Sequence, residues 1–118
     1  MEENFINFKT RICCHLNYLV SINRVKTYGE VVEHCGIPSP RKIRKLNAYL
    51  IEITKEDIKN KRPLRAALVV SKIANSNYPR LPNEEFFNLL KKHKIYDGKE
   101  EVSSYLEFHK ELLKSLLG

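Results

Sequence analysis

The chain has 118 residues, of which 42% are hydrophobic and 30% charged, and it carries a net charge of +7. That length suits one domain burying about two-thirds of the surface it exposes when unfolded, with no need of a metal or disulfide to hold it, and the balance of residues excludes a disordered chain. The longest uninterrupted apolar stretch, Ala66-Ala67-Leu68-Val69-Val70, is far short of a membrane span.

The opening Met1-Glu2-Glu3-Asn4 has neither the positive leader nor the apolar core of a signal peptide. Residues 4–22 then read as a helix. Phe5, Phe8, Ile12, Leu16, Leu19 and Val20 recur at three- and four-residue steps and fall on one face, and Asn4 is the candidate cap. Within it, Cys13 and Cys14 point about 100° apart and cannot easily share one tetrahedral ion. With Cys35 they make an odd set lacking framework spacing, which is expected of reduced thiols in a cytoplasmic protein.

Thr27-Tyr28-Gly29-Glu30 has the capping-box form and opens a second, short helix, with Val31 and Val32 on its apolar side. Gly36 suits a left-handed terminator. Ile37-Pro38-Ser39-Pro40 cannot continue the helix, because each proline disfavours helical geometry in the residue before it. A third helix is predicted over Arg41–Ile51, buried through Ile43, Leu46, Leu50 and Ile51. Arg41, Lys42, Arg44, Lys45, Asn47 and Tyr49 occupy its other sides. Thr54-Lys55-Glu56-Asp57 starts a separate short helical turn ending near Lys61.

After Pro63 the period changes, and Leu64, Ala66, Ala67, Leu68, Val69 and Val70 read as a largely buried strand. Residues 73–81 form a loop, and with Lys72 and Arg80 beside a strand it has the look of a wing. Asn83 caps a fourth helix that turns Phe86, Phe87, Leu89 and Leu90 inward. Asp97-Gly98 is a turn signal. The last helix, Lys99–Leu117, carries Val102, Leu106, Leu113, Leu116 and Leu117, with His109 near the same stripe.

Charge is unevenly placed. Between Arg24 and Arg80 there are thirteen Lys and Arg against five Asp and Glu, whereas the rest of the chain has eight against nine. A solubility device would spread its charge; a face meeting a polyanion concentrates it. Arg41, Lys42, Arg44 and Lys45 contain no acidic partner, and like charges so spaced destabilise a helix mildly. They leave three readings open: phosphate contact, the acidic surface of a protein partner, or plain solvation. No phosphate-cradling glycine loop, nucleophile elbow or paired-carboxylate motif is present, so neither an enzyme nor a cofactor or metal is expected.

The string Arg24-Val25-Lys26-Thr27-Tyr28-Gly29-Glu30-Val31-Val32, followed by Gly36-Ile37-Pro38 and Arg41-Lys42-Ile43, resembles the winged-helix domain of the alkylguanine alkyltransferases and alkyltransferase-like proteins over roughly residues 24–82. In that family a tyrosine and an arginine assist DNA binding and nucleotide extrusion, and the resemblance puts Tyr28 and Arg41 in those places. The family's reactive Pro-Cys-His-Arg motif is replaced by Pro63-Leu64-Arg65-Ala66, which excludes alkyl transfer there. Arg44 and Lys45 stand where the family has small residues. The chain also looks like a small bacterial family, a likeness that brings no activity with it.

The expectation is one domain, 1–118, mainly α with a small β element. A winged helix-turn-helix-like core over 24–82 would be flanked by helices in 1–23 and 83–118. The expected role is non-catalytic binding of nucleic acid, duplex DNA first. Arg41, Lys42, Arg44 and Lys45 would contact phosphates, Lys72 and Arg80 would assist, and Tyr28, Asn47 and Tyr49 would meet bases or sugars. The alternative is a protein-interaction module, adaptor or inhibitor, or a homodimer, with its exposed patch near Leu112 and Leu116. No membrane association is expected.

Overall fold

The computed structural model describes residues 7–71 and 81–117. Five helices and two short strands follow one another as α1 (Phe8–Ser21), β1 (Lys26–Thr27), α2 (Tyr28–Cys35), α3 (Lys42–Lys59), a 3-10 turn (Arg65–Leu68), β2 (Val69–Val70), α4 (Glu84–Lys92) and α5 (Val102–Leu117). None of the described helices is long and apolar enough to cross a membrane.

Local chemistry sets the first boundaries. Asn7 caps α1 by accepting the Thr10 N–H at 3.1 Å, while the expected cap, Asn4, lies outside the described residues. Both halves of the α2 capping box form: the Glu30 N–H reaches the Thr27 hydroxyl at 3.2 Å, and the Thr27 N–H reaches the Glu30 carboxylate at 2.9 Å. Gly36 ends α2 in the left-handed region, at φ 69°, where a β-carbon would crowd the carbonyl.

α3 departs from expectation. It runs 18 residues without a break, taking in the segment expected to form a separate turn. The Thr54 hydroxyl donates to the Leu50 carbonyl at 2.7 Å, so it is satisfied inside the helix and caps nothing. The buried stripe is Leu46, Leu50, Ile53, Thr54 and Asp57. Ile43, expected inward, is 52% exposed. It shares an i, i+4, i+8 row with Asn47 and half-buried Ile51, one step round the helix from the core-facing row.

The apolar run after Pro63 is buried on all sides, but only Val69 and Val70 pair as a strand. The four residues before them coil into the 3-10 turn, which packs against α1, α3 and α5 and forms the middle of the core. β2 lies parallel to β1, with Lys26 opposite Val69 and Thr27 opposite Val70. This ties the entry of α2 to the exit of the turn. The expected wing loop falls largely on residues 72–80, and Lys72 and Arg80 with it, outside the described residues.

Asp57 explains why the chain turns there. Its carboxylate is fully buried and meets Arg65 at 2.8 Å and Arg62 at 3.2 Å, and it also accepts the Arg65 backbone N–H at 3.2 Å. The Asp57 bond holds the Arg65 guanidinium pKa above its usual value. On the far side α4 buries Phe86, Phe87, Leu89 and Leu90. His109 of α5 is buried beneath the turn, its Nε2 2.8 Å from the Ala67 carbonyl; burial lowers its pKa.

Candidate nucleic-acid interface

The basic residues of the middle segment divide into two populations. Arg62 and Arg65 serve the interior by neutralising Asp57. Arg41, Lys42, Arg44 and Lys45 gather where α3 begins. The side chains of Arg41 and Arg44 are exposed and make no ion pair or hydrogen bond with any described residue. Lys42 stands 3.9 Å from Glu33, both solvated, an arrangement worth little. Lys45 donates to the Pro38 carbonyl at 3.1 Å and braces the turn between α2 and α3.

These four spread over one side of the helix end. At 100° per residue, Lys42 points toward α2 and Arg44 nearly opposite, and Lys45 and Arg41 fall on the arc between them, so the four form a half-collar on the side away from the buried stripe. The end itself is bare. Arg41 occupies the N-cap position in the left-handed region, at φ 59°. No described side chain caps the first turn, and no acidic residue lies within it. The positive end of the helix dipole and its free N–H groups therefore coincide with an arc of cations.

Tyr28, Asn47 and Tyr49 are engaged within the fold, and Lys72 and Arg80 lie outside the described residues. Tyr28 is only 7% exposed, and its hydroxyl accepts the Asn83 N–H at 2.9 Å. Burial pushes its pKa up to about 12. The Asn47 amide donates to Glu85 at 2.7 Å, and its oxygen accepts from the Asn83 amide at 2.9 Å. Asn83 in turn caps α4 through the Phe86 N–H at 3.1 Å. Tyr28, Asn47 and Asn83 thus latch α2, α3 and the start of α4 together. Tyr49 is half-buried, its ring tilted against Phe8 at 6.3 Å. Beside the latch runs an open groove of about 550 Å³, walled by Ile43, Arg44, Ala48 and Ile51 on one side and by Asn83 and Glu85 on the other.

Two features escaped the sequence reading. Lys55 and Lys59 extend the exposed side of α3 and, like Arg44, pair with no described residue. The 3.6-residue period would have located them had the helix been carried past Thr54. The second is a stacked pair of imidazoles joining α1 to α2: buried His15 lies 3.8 Å from exposed His34, centroid to centroid. Burial, helped by His34 and Lys26, lowers the His15 pKa, and its Nδ1 has no hydrogen-bond partner among the described residues. Among the described residues no three His, Cys, Asp or Glu side chains converge as a metal site would require. No family model, curated protein or solved structure matches the chain.

Proposed function

We propose that the protein binds nucleic acid without catalysis, in a cytoplasmic setting, by placing phosphates at the first turn of α3. In this reading α2, the turn and α3 are a helix-turn-helix within a winged-helix-like core. The observation that supports it is the half-collar of Arg41, Lys42, Arg44 and Lys45 on the outer side of an uncapped helix end with no acid in its first turn. Each cation at the positive pole of a helix costs about 0.3–1 kcal/mol by reversal of the usual preference. A phosphate there would accept from the free N–H groups and neutralise the collar together.

The test is a titration of duplex DNA and RNA at 50 and 200 mM salt. Four phosphate contacts give a logarithmic slope of about −3.6, hence a loss of about 150-fold across that range. Replacing all four cations by Gln flattens the slope and weakens binding at low salt. Binding that ignores both salt and these charges refutes the reading.

One observation favours a second reading, a protein-interaction module. An open groove of about 350 Å³ between the end of α3 and α5 has walls of Ile58, Leu64, Ile95 and Leu112 and a rim of Lys61 and Arg62. That reading is supported instead if no nucleic acid binds at physiological salt and a stable protein complex is recovered.

A further inference from the structure

We infer that α3 lies across the major groove of a DNA duplex, its first turn on one phosphate backbone and Lys55 and Lys59 on the other. This rests on the nucleic-acid reading above and adds to it a partner class, a groove and two contacts that the basic collar alone does not imply.

The geometry follows from α3 being a single helix. Opposite its buried stripe of Leu46, Leu50, Ile53, Thr54 and Asp57, the 100° step brings Arg44, Ala48, Lys55 and Lys59 onto one outer face, with Ile51 and Glu52 on its borders. Arg44, Ala48, Lys55 and Lys59 are exposed. The α3 acids bordering this face, Glu52 and Glu56, are drawn to the α1 flank by Lys9, which lies 3.8 Å from Glu52 and is hydrogen-bonded to Glu56, while Glu85 of α4, across the groove from Arg44 and Ala48, is engaged by the Asn47 amide. The outer face therefore offers cations at both ends and none in the middle.

Its dimensions select the partner. From Arg44 to Lys59 the axis advances about 22 Å at 1.5 Å per residue. The major groove of B-DNA is about 12 Å wide and admits an α-helix, so a helix crossing it has an end over each backbone. The residues then above the groove floor are Ala48, small enough for close approach, and Ile51, which can meet a thymine methyl. Asn47, the nearby side chain able to read a base edge, is held by Glu85 and Asn83. Affinity should therefore depend strongly on salt and weakly on sequence. A-form RNA has a major groove too deep and narrow for this approach, and a single strand offers one backbone where the helix presents two charged ends.

The experiment measures fluorescence anisotropy of the full chain with a labelled duplex DNA of about 20 base pairs, the RNA duplex of the same sequence, and one DNA strand alone, from 50 to 200 mM salt. The wild-type protein should prefer the DNA duplex. The double variant Lys55→Gln/Lys59→Gln should lower the magnitude of its salt slope by about 1.8, making the loss across that range about twelvefold smaller. Single-strand binding should be unchanged, and Lys55→Arg/Lys59→Arg should keep the wild-type slope. If the protein binds DNA and the Gln pair leaves the duplex slope unaltered, this placement of α3 is wrong while the nucleic-acid reading stands. Equal affinity for the RNA duplex overturns the major-groove assignment in the same way. Failure to bind any of the three overturns the nucleic-acid reading itself, and this inference with it.

Discussion

Tyr28→Phe separates a structural tyrosine from a ligand-contacting one. Among the described residues the hydroxyl accepts one hydrogen bond, from the Asn83 N–H at 2.9 Å, and its loss leaves that donor facing the ring edge. A hydrogen bond of this kind contributes about 0.5–1.5 kcal/mol net, and an orphaned buried donor costs about 1–3 kcal/mol. Asn83 is half-buried, so water can reach its N–H in part. The expected destabilisation is about 1–1.5 kcal/mol, or roughly 4–6 °C in Tm for a domain of this size. Burial of the same hydroxyl sets an alkaline dependence. The folded protein holds the Tyr28 proton up to about pH 12, whereas the unfolded chain releases it near 10, so stability falls as pH rises through that interval. The Phe variant loses this part of the dependence. Thermal unfolding by circular dichroism at pH 7 and pH 10.5, beside a DNA titration at pH 7, reads all of this. Weaker DNA binding by tenfold or more at unchanged Tm would refute the reasoning and put the hydroxyl in contact with ligand.

Three further outcomes are expected. Asp57→Asn strips the charge that Arg62 and Arg65 share; removing one partner from a buried ion pair costs about 3–5 kcal/mol, and the partial exposure of Arg62 sets the lower end. Urea unfolding that finds a loss below about 1 kcal/mol would contradict the role given to this carboxylate. The folded state holds both His15 and His109 below their ordinary pKa, while the unfolded chain takes up protons near pH 6.5. Stability is therefore complete above that pH and declines as pH falls below it. His15→Leu should flatten part of the decline between pH 7 and 5, and an unchanged slope would show that His15 contributes nothing to it. Arg41→Gly should stabilise the protein by about 1 kcal/mol, since glycine enters the left-handed region without the penalty that arginine meets there, and should weaken binding at low salt. A variant that binds as before would remove Arg41 from the collar's function.

The parts of the fold legible in the sequence are those decided by neighbouring residues. Thr27 and Glu30 can satisfy each other only at a helix start, and Gly36 answers a backbone angle. Asn83 before Glu84 and Glu85 places acids at the positive end of α4, where they belong. Where a residue type has two local uses, sequence did not choose between them. Thr54 can cap a helix or return its hydroxyl to the preceding turn, and the burial of Ile53 and Asp57 on either side selects the second. The run Ala66–Val70 has no period because every side of it is buried, so strand and 3-10 turn were equally compatible with it. What settled the matter was the hold of Asp57 on the Arg65 backbone N–H, a contact fixed by tertiary structure.

The candidate site was legible as an excess of charge but not as a shape, and the reason lies in α3. Read as two helices, its cations form two unrelated groups; read as one, they occupy both ends of a single exposed face. The start of that helix differs from the capped starts elsewhere in the molecule. α1, α2 and α4 all have side-chain caps, whereas α3 begins with a left-handed arginine and no described cap, followed by cations at the pole where they are least favoured. Asn23, Lys61 and Lys94 are left-handed too, each just after a helix, so it is the uncapped, cation-flanked start that sets Arg41 apart. Departures from local preference tend to lie where function asks for them. A helix start that is unfavourable alone becomes favourable when an anion occupies it, and a stripe of unpaired cations along the same helix supplies the reason for that anion to be a long one.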